Sequence, residues 1–448
     1  MAAENELIVS VSGIRGVVGS SLTAEMATAF AAALATYTKG GRVLLSRDGR
    51  PSGTMLRHAA LAGLLSTGCE VQDIGVAPTP SCGLAIRHLK AAAGLQITAS
   101  HNPAQWNGLK LFGRDGSLLT PTEGERVRRL FEAGTFRRVA WQEIGTVVET
   151  NDAPKWHCAR ILELIDGNRI RGAGLKVFLD ANGGAGGPTG RQLLDALGCR
   201  LVCQACDADG IFLHEPEPIP ANLQTISPLV AEQDADIGLV LDPDADRLAL
   251  VDETGRFVGE ELTLALAVLF RLRQRPGPVV INMSTSRLVE DIAKKFGSPC
   301  YRSAVGEINV VEKMREVGAV IGGEGNGGVI DPRVGDVRDP FIGMGLILSL
   351  LAQTGQKLSR LAADLPSYTI LKDKYTVPRD RLPALFANLR KRWPDAAVND
   401  VDGLRLDWGD RWVHVRPSNT EPIVRVIAEA PRAEDAQRLC RDVGQALQ

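Results

Sequence analysis

The sequence predicts an α/β protein of several domains, three of them alike and the last one different. Three observations carry that reading. Strand-like and helix-like runs alternate from the start, the pattern of layered, largely parallel sheets. Three times a short apolar run delivers a polar or glycine-rich loop: Gly94-Leu-Gln-Ile97 before Thr98-Ala-Ser-His-Asn-Pro103, Asp236-Ile-Gly-Leu-Val-Leu241 before Asp242-Pro-Asp-Ala-Asp-Arg247, and Val317-Gly-Ala-Val-Ile321 before Gly322-Gly-Glu-Gly-Asn-Gly-Gly328. After Ser367 the character changes. Val401-Asp-Gly-Leu-Arg-Leu-Asp-Trp-Gly-Asp-Arg-Trp-Val-His-Val415 alternates polar and apolar around a Gly-Asp turn, which reads as an antiparallel hairpin in an α+β unit.

Near the start, Arg42-Val-Leu-Leu-Ser46 reads as a buried strand. The alanine-rich stretch after Leu22-Thr23 reads as a helix, with Thr23 as N-cap and Glu25 favourable in its first turn. In α/β sheets ligands gather beyond the carboxyl ends of strands, so the three loops are expected to meet in one cleft. A chain of 448 residues exceeds what one core organises, and two to four domains are expected. Seams at Thr150-Asn-Asp-Ala-Pro154, Asp252-Glu-Thr-Gly255 and Asp364-Leu-Pro-Ser367 divide it into 1–153, 154–254, 255–367 and 368–448.

Composition is that of an ordinary enzyme, 44% hydrophobic and 23% charged, and 47 glycines imply many tight turns or close backbone approaches. A net charge of −2 offers no basic footprint for nucleic acid or anionic membrane. The apolar run Met344-Gly-Leu-Ile-Leu-Ser-Leu-Leu-Ala352 is too short to span a bilayer, and the acidic start Met1-Ala-Ala-Glu-Asn-Glu is unlike a secretory signal; a cytoplasmic location is expected. Eight scattered cysteines argue against a disulfide framework. Cys203-Gln-Ala-Cys206, with Cys199 nearby, falls short of the four ligands of a zinc site and reads as structural thiols.

Chemistry concentrates in the loops. Asn102 and Pro103 stop regular structure and leave Ser100 exposed at a strand end, where its hydroxyl can carry a transferred group. His101 could polarise that hydroxyl or bind phosphate, and Lys110 of Asn107-Gly-Leu-Lys110 could neutralise phosphate or shuttle a proton. Asp242, Asp244 and Asp246 alternate along extended backbone and so share a face, a site for a hard cation. With Glu253 they match positions one, three, five and twelve of an EF-hand, but Arg247 stands where that loop needs glycine and the flanks read as strands. A hydroxyl carrier plus a cation site means Mg²⁺-assisted phosphoryl transfer through a phosphorylated serine.

In Gly322–Gly328, which fits neither the P-loop nor the dinucleotide fingerprint, Glu324 and Asn326 suit sugar hydroxyls. Arg416-Pro-Ser-Asn-Thr-Glu-Pro422 with Arg425 forms a phosphate cradle. Arg15 of Ser12-Gly-Ile-Arg-Gly16, and Arg47 and Arg50 of Arg47-Asp-Gly-Arg50, are further candidate phosphate contacts.

Taken together and in this order, these motifs resemble the α-D-phosphohexomutase family over essentially the whole chain. The resemblance implies four domains around a central cleft, three related α/β modules plus a smaller C-terminal α+β domain. It implies that Ser100 is phosphorylated and that Asp242, Asp244 and Asp246, with an oxygen on Ser100, hold one Mg²⁺. Lys110 would be the acid/base, with Arg15, His101 and Arg247 lining the same site. Glu324 and Asn326 would read sugar hydroxyls, and Arg416, Ser418, Asn419, Thr420 and Arg425 would grip the phosphate that is not reacting.

The implied reaction interconverts hexose 6-phosphate and hexose 1-phosphate through a bisphosphate, with Ser100 primed by a hexose 1,6-bisphosphate or a kinase. The partner is a phosphosugar, not nucleic acid or membrane, and the assembly a monomer or homodimer. Three positions depart from the family pattern. Asn326 stands where many members have serine, Gly328 where several bacterial members have histidine, and Asn419 where glycine is common. The Gly-Glu-Gly-Asn-Gly-Gly loop resembles that of archaeal-type members of the family assigned to glucosamine phosphate, so the resemblance implies that substrate, with glucose or mannose phosphate as the alternative. A Mg²⁺-dependent phosphatase and a non-catalytic phosphosugar sensor are more remote readings.

Overall fold

A computed structural model describes residues 7–10, 12–417 and 423–447. Three mixed sheets share one plan. In the first, the strands Val71–Val76, Val43–Arg47 and Ala93–Ile97 run parallel, and Trp106–Gly113 returns antiparallel. In the second, Arg200–Gln204, Lys176–Asp180 and Ile237–Leu241 are parallel and Leu248–Asp252 returns. In the third, Cys300–Ser303, Val279–Asn282 and Ile321–Glu324 are parallel and Gly328–Ile330 returns. The first sheet is widened to seven strands by Ile8–Ser10 and Gly13–Val17 on one edge and Val147–Glu149 on the other.

This shared plan is the physical form of the threefold repeat in the sequence. Each motif occupies the same place, the connection between the third parallel strand and its antiparallel return. These central strands read as continuous apolar runs because they are buried on both faces; Ile237–Leu241 and Ala93–Ile97 are buried at every position. Helix starts follow the sequence signals. Thr23 Oγ1 accepts from Met26 N at 3.4 Å to open the helix Ala24–Tyr37. The apolar helix Pro340–Thr354 is capped by Asp339 and lies within a core that runs without interruption through the second and third sheets.

The expected strand over 317–321 is not formed as such. Val317 closes the helix Glu307–Val317, Gly318 follows in a left-handed conformation, and the strand starts at Ile321 and carries Glu324. One apolar run therefore serves two elements, split by a glycine. The last domain is a five-stranded antiparallel sheet, and the expected hairpin is present: Leu404–Asp407 pairs with Trp412–Pro417 across Gly409 and Asp410.

The eight cysteines are free thiols, and burial pushes Cys206 up to about 12. His214 faces Asp180 at 2.9 Å instead of these thiols. No helix among the described residues is long and apolar enough to cross a membrane.

The fourth domain is closed on the third by polar contacts. His414 Nδ1 lies 3.0 Å from Ser284 Oγ, and Arg405 donates to the Met283 carbonyl at 2.6 Å. Burial lowers the pKa of His414 from 6.5 to about 4. Its unfolded form therefore binds a proton that the folded form refuses between those values, so stability falls as pH drops through this window. We expect His414→Asn to remove about one proton from the pH slope of unfolding between pH 6.5 and 4. An unchanged slope in denaturant melts would contradict the assignment.

Candidate active site

The three equivalent loops converge. Ser100 follows the strand Ala93–Ile97, and its backbone is held left-handed at φ 51°. That conformation is costly for a serine and persists only where surroundings enforce it. The enforcement comes from Arg50, which is 1% exposed. Its guanidinium donates to the carbonyls of Ser100 (2.7 Å), Asn102 (2.6 Å), Pro103 (2.8 Å) and Trp106 (3.1 Å), and its Nε to Asp48 (3.1 Å). Arg50 is thus the clamp of the serine loop and not a free phosphate contact. Nor is Ser100 exposed: only 3% of its surface remains accessible, because the loop folds against the second module.

Ser100 Oγ donates to Asp242 Oδ2 at 3.2 Å, and His101 Nδ1 lies 3.2 Å from the same hydroxyl. Burial, reinforced by Arg247 and Arg15, lowers His101 to about 3, so its ring is neutral. Asp242, Asp244 and Asp246 are completely buried, with oxygens lying within 4.8 Å of one another. Asp242 Oδ1 accepts from the backbone of Asp246 and Arg247, which curls the loop around it.

Lys110, from the antiparallel return strand Trp106–Gly113, donates to Asp244 Oδ2 at 2.7 Å and Asp246 Oδ2 at 3.1 Å. Thr79 N and Oγ1 also hold Asp244, its main-chain and side-chain oxygens respectively, each at 2.8 Å. Burial opposes the charge on Lys110, but the two aspartates outweigh it and raise its pKa. Burial drives Asp242 up, with repulsion from Asp246 and Asp244 adding to it. For Asp246 burial is overcome by Arg338, Lys110 and Arg247, and its pKa falls.

The donor set fits a divalent cation. Asp244 Oδ1 and Asp246 Oδ1 are buried and accept no hydrogen bond, while their other oxygens are occupied by Lys110, Thr79 and Arg338. Buried carboxylate oxygens without donors are expensive unless a cation completes them.

Around this centre, Arg15 reaches Asn102 Oδ1 at 3.5 Å, its pKa lowered by burial, and Arg247 Nη1 reaches Glu217 at 3.4 Å. Glu324 accepts from Asn282 Nδ2 (2.8 Å), Gly306 N (3.0 Å) and Arg338 (3.0 Å), while Asn326 Oδ1 is buried without a partner. Arg416 pairs with Asp402 at 3.1 Å and stands directly opposite Arg425 across two strands. Ser418, Asn419 and Thr420 lie outside the described residues.

Sequence reasoning named Arg50 but gave it the wrong role, and it missed Thr79, Glu307 and Arg338. These three lie far from their partners along the chain, and their identity alone carries no signal.

Family models match in four consecutive stretches. These are phosphoglucomutase/phosphomannomutase α/β/α domains I (7–138), II (156–255) and III (259–368), and the C-terminal domain (374–446). The chain belongs to the phosphoglucomutase/phosphomannomutase family. It is similar to a probable phosphoglucosamine mutase of Methanopyrus kandleri, at 36% identity over 96% of this chain and 95% of that protein. A phosphoglucomutase/phosphomannomutase of Thermococcus kodakarensis is 38% identical over 95% of each chain. Among solved structures, a phosphoglucomutase/phosphomannomutase family protein of Burkholderia thailandensis superposes with a TM-score of 0.87 at 28% identity, over 98% of this chain and 96% of that one. As a member of this family the chain is a phosphohexomutase, an isomerase.

Replacing Arg50 by methionine would leave four carbonyls and Asp48 buried without their donor. We expect a loss of about 3–5 kcal/mol in denaturant melts. Wild-type stability would show that the clamp contributes nothing.

Proposed function

We propose that this phosphohexomutase interconverts the 6- and 1-phosphates of glucosamine through phosphorylated Ser100 and a sugar bisphosphate. The observation that carries the mechanism is the juxtaposition of Ser100 Oγ with Asp242, while Lys110 bridges Asp244 and Asp246. The glucosamine substrate rests on the name of the Methanopyrus relative and on the 322–328 loop.

In the forward half, the bond between phosphorus and Ser100 Oγ breaks as the sugar hydroxyl oxygen bonds to phosphorus. The proton lost by the sugar hydroxyl balances the one that Ser100 Oγ takes up as it leaves, with Lys110 as the acid/base group that relays it, and Ser100 regains its hydroxyl. The bisphosphate turns over and returns its other phosphoryl group by the reverse bonds. Asp242, Asp244, Asp246 and an oxygen on Ser100 would hold Mg²⁺, which neutralises charge on the transferring group and draws carboxylate charge away from Lys110.

Lys110 is the acid/base group in this arrangement, kept charged by its two aspartates until cation binding takes up their charge. Neutral His101 orients Ser100 Oγ through its Nδ1. Arg15 and Arg247 line the site. Glu324 and Asn326 read sugar hydroxyls in either orientation, while Arg416 and Arg425, with Ser418, Asn419 and Thr420, grip the distal phosphate. Burial of Ser100 supports the design, because a phosphoserine open to water would be hydrolysed.

Glucose or mannose phosphate is the second reading, favoured by the Thermococcus relative. The test is ³¹P NMR of Mg²⁺-loaded protein, primed with hexose 1,6-bisphosphate and given glucosamine, glucose or mannose 6-phosphate. Conversion to the 1-phosphate with the highest kcat/KM for glucosamine supports the reading; free phosphate alone sinks it in favour of a phosphatase. Ser100→Ala should lower kcat by at least about 10⁴-fold with an unchanged melting curve. Substantial residual mutase activity in that variant would remove Ser100 from the carrier role.

A further inference from the structure

We infer that Arg338 is a positioning residue of the phosphoryl-transfer site, tying the metal-loop carboxylate Asp246 to the sugar-loop carboxylate Glu324, and that Gly328 is the opening through which it passes. The inference rests on the proposed roles of those two loops and assigns a residue outside both of them. Arg338 spends each nitrogen of its guanidinium on a different carboxylate. Nη2 donates to Asp246 Oδ2 at 2.6 Å, Nη1 to Glu324 Oε2 at 3.0 Å, and Nε to Glu307 Oε2 at 3.0 Å. A planar fork with fixed donor directions transmits orientation between its partners in a way a point charge does not.

The fork is itself anchored. Its own backbone N–H donates to Glu307 Oε1 at 3.2 Å. The next residue, Asp339, caps the helix Pro340–Thr354 and lies 2.8 Å from His157 Nε2, whose other nitrogen is 2.9 Å from Ser81 Oγ. Ser81 stands two residues beyond Thr79, which holds Asp244. Arg338 thus belongs to a frame that reaches two of the three metal-loop aspartates, Asp246 directly and Asp244 through Thr79.

Gly328 faces the arginine. A Cβ there would fall well inside contact distance of Arg338 Cδ, midway along a side chain whose head is pinned. Gly328 also pairs directly with Glu324 across the hairpin, so any displacement is felt at the sugar-reading carboxylate. The missing Cβ at Gly328 is what leaves room for the Arg338 side chain to pass.

Arg338 also competes for Asp246 with any cation bound there. Removing its charge should tighten cation binding while spoiling the geometry that transfer needs, a pair of opposite effects that a damaged fold does not produce. The probe is Mn²⁺, titrated by electron paramagnetic resonance without sugar, alongside steady-state kinetics in Mg²⁺. We expect Arg338→Gln to bind Mn²⁺ at least about threefold more tightly, to lose at least about tenfold in kcat and to raise KM severalfold. Arg338→Lys should bind Mn²⁺ like the wild type and raise KM. Gly328→Ala should shift kcat and KM as Arg338→Gln does, and the double variant should be no worse than Arg338→Gln alone.

Mn²⁺ affinity that falls or stays level in Arg338→Gln, or additive losses in the double variant, would overturn the inference. The Mn²⁺ titrations need no turnover. A wild type that fails to isomerise sugar phosphates would overturn the proposed function and leave this linkage measurable.

Discussion

Three carboxylates with no solvent exposure share the space of one ion, and the rest of the site answers to that constraint. Two unit charges about 4 Å apart repel by about 4 kcal/mol at an effective permittivity of about 20, so Asp242, Asp244 and Asp246 cannot all be charged unaided. Compensation comes from elsewhere in the chain. Lys110 arrives from the first module, Arg338 from the third, and Arg247 from the loop itself. Each module's contribution is incomplete without the others, which is a physical reason for the loops to meet at one point. The two aspartate oxygens that still lack donors are where a divalent cation would complete the balance.

The same constraint explains the serine loop. To bring Ser100 Oγ against Asp242 the backbone must take a left-handed turn that a serine disfavours, and Arg50 holds it there by four carbonyls at once. Burial strengthens every charge interaction in the site, and under the proposed mechanism it would also keep water from the phosphoryl group on Ser100. The fourth domain stands apart from the chemistry. It brings Arg416 to the cleft edge on Asp402, whose carboxylate also accepts from Val305 N of the third module beside Gly306 and Glu307.

Much of this was legible in the sequence because it is written in local patterns. Apolar runs followed by Ser100, by Asp242, Asp244 and Asp246, and by Glu324 announced three equivalent strand–loop units, and the hairpin around Gly409 announced a different fourth. What stayed hidden is what depends on long-range contact. Arg50 sat in a motif but read as a phosphate contact, since nothing local shows that its guanidinium folds under a loop some fifty residues away. Arg338 precedes a helix cap and gave no sign of reaching Asp246, ninety-two positions back. Val317 was drawn into a strand because the apolar run does not show where Gly318 ends a helix. Periodicity reports which face is buried; it does not report which charges meet.

The central claim is that Ser100 carries the phosphoryl group beside a cation held by the buried aspartates. The most direct measurement is phosphopeptide mapping of protein primed with Mg²⁺ and a ³²P-labelled hexose 1,6-bisphosphate, freed of excess bisphosphate, before and after addition of unlabelled glucosamine 6-phosphate, with a chelator added after priming in a parallel arm. The account predicts label on Ser100 alone, chased off as unlabelled phosphate from the sugar replaces it, with the chase prevented by the chelator. Phosphate on another residue, or a label on Ser100 that the sugar phosphate does not remove, would contradict it.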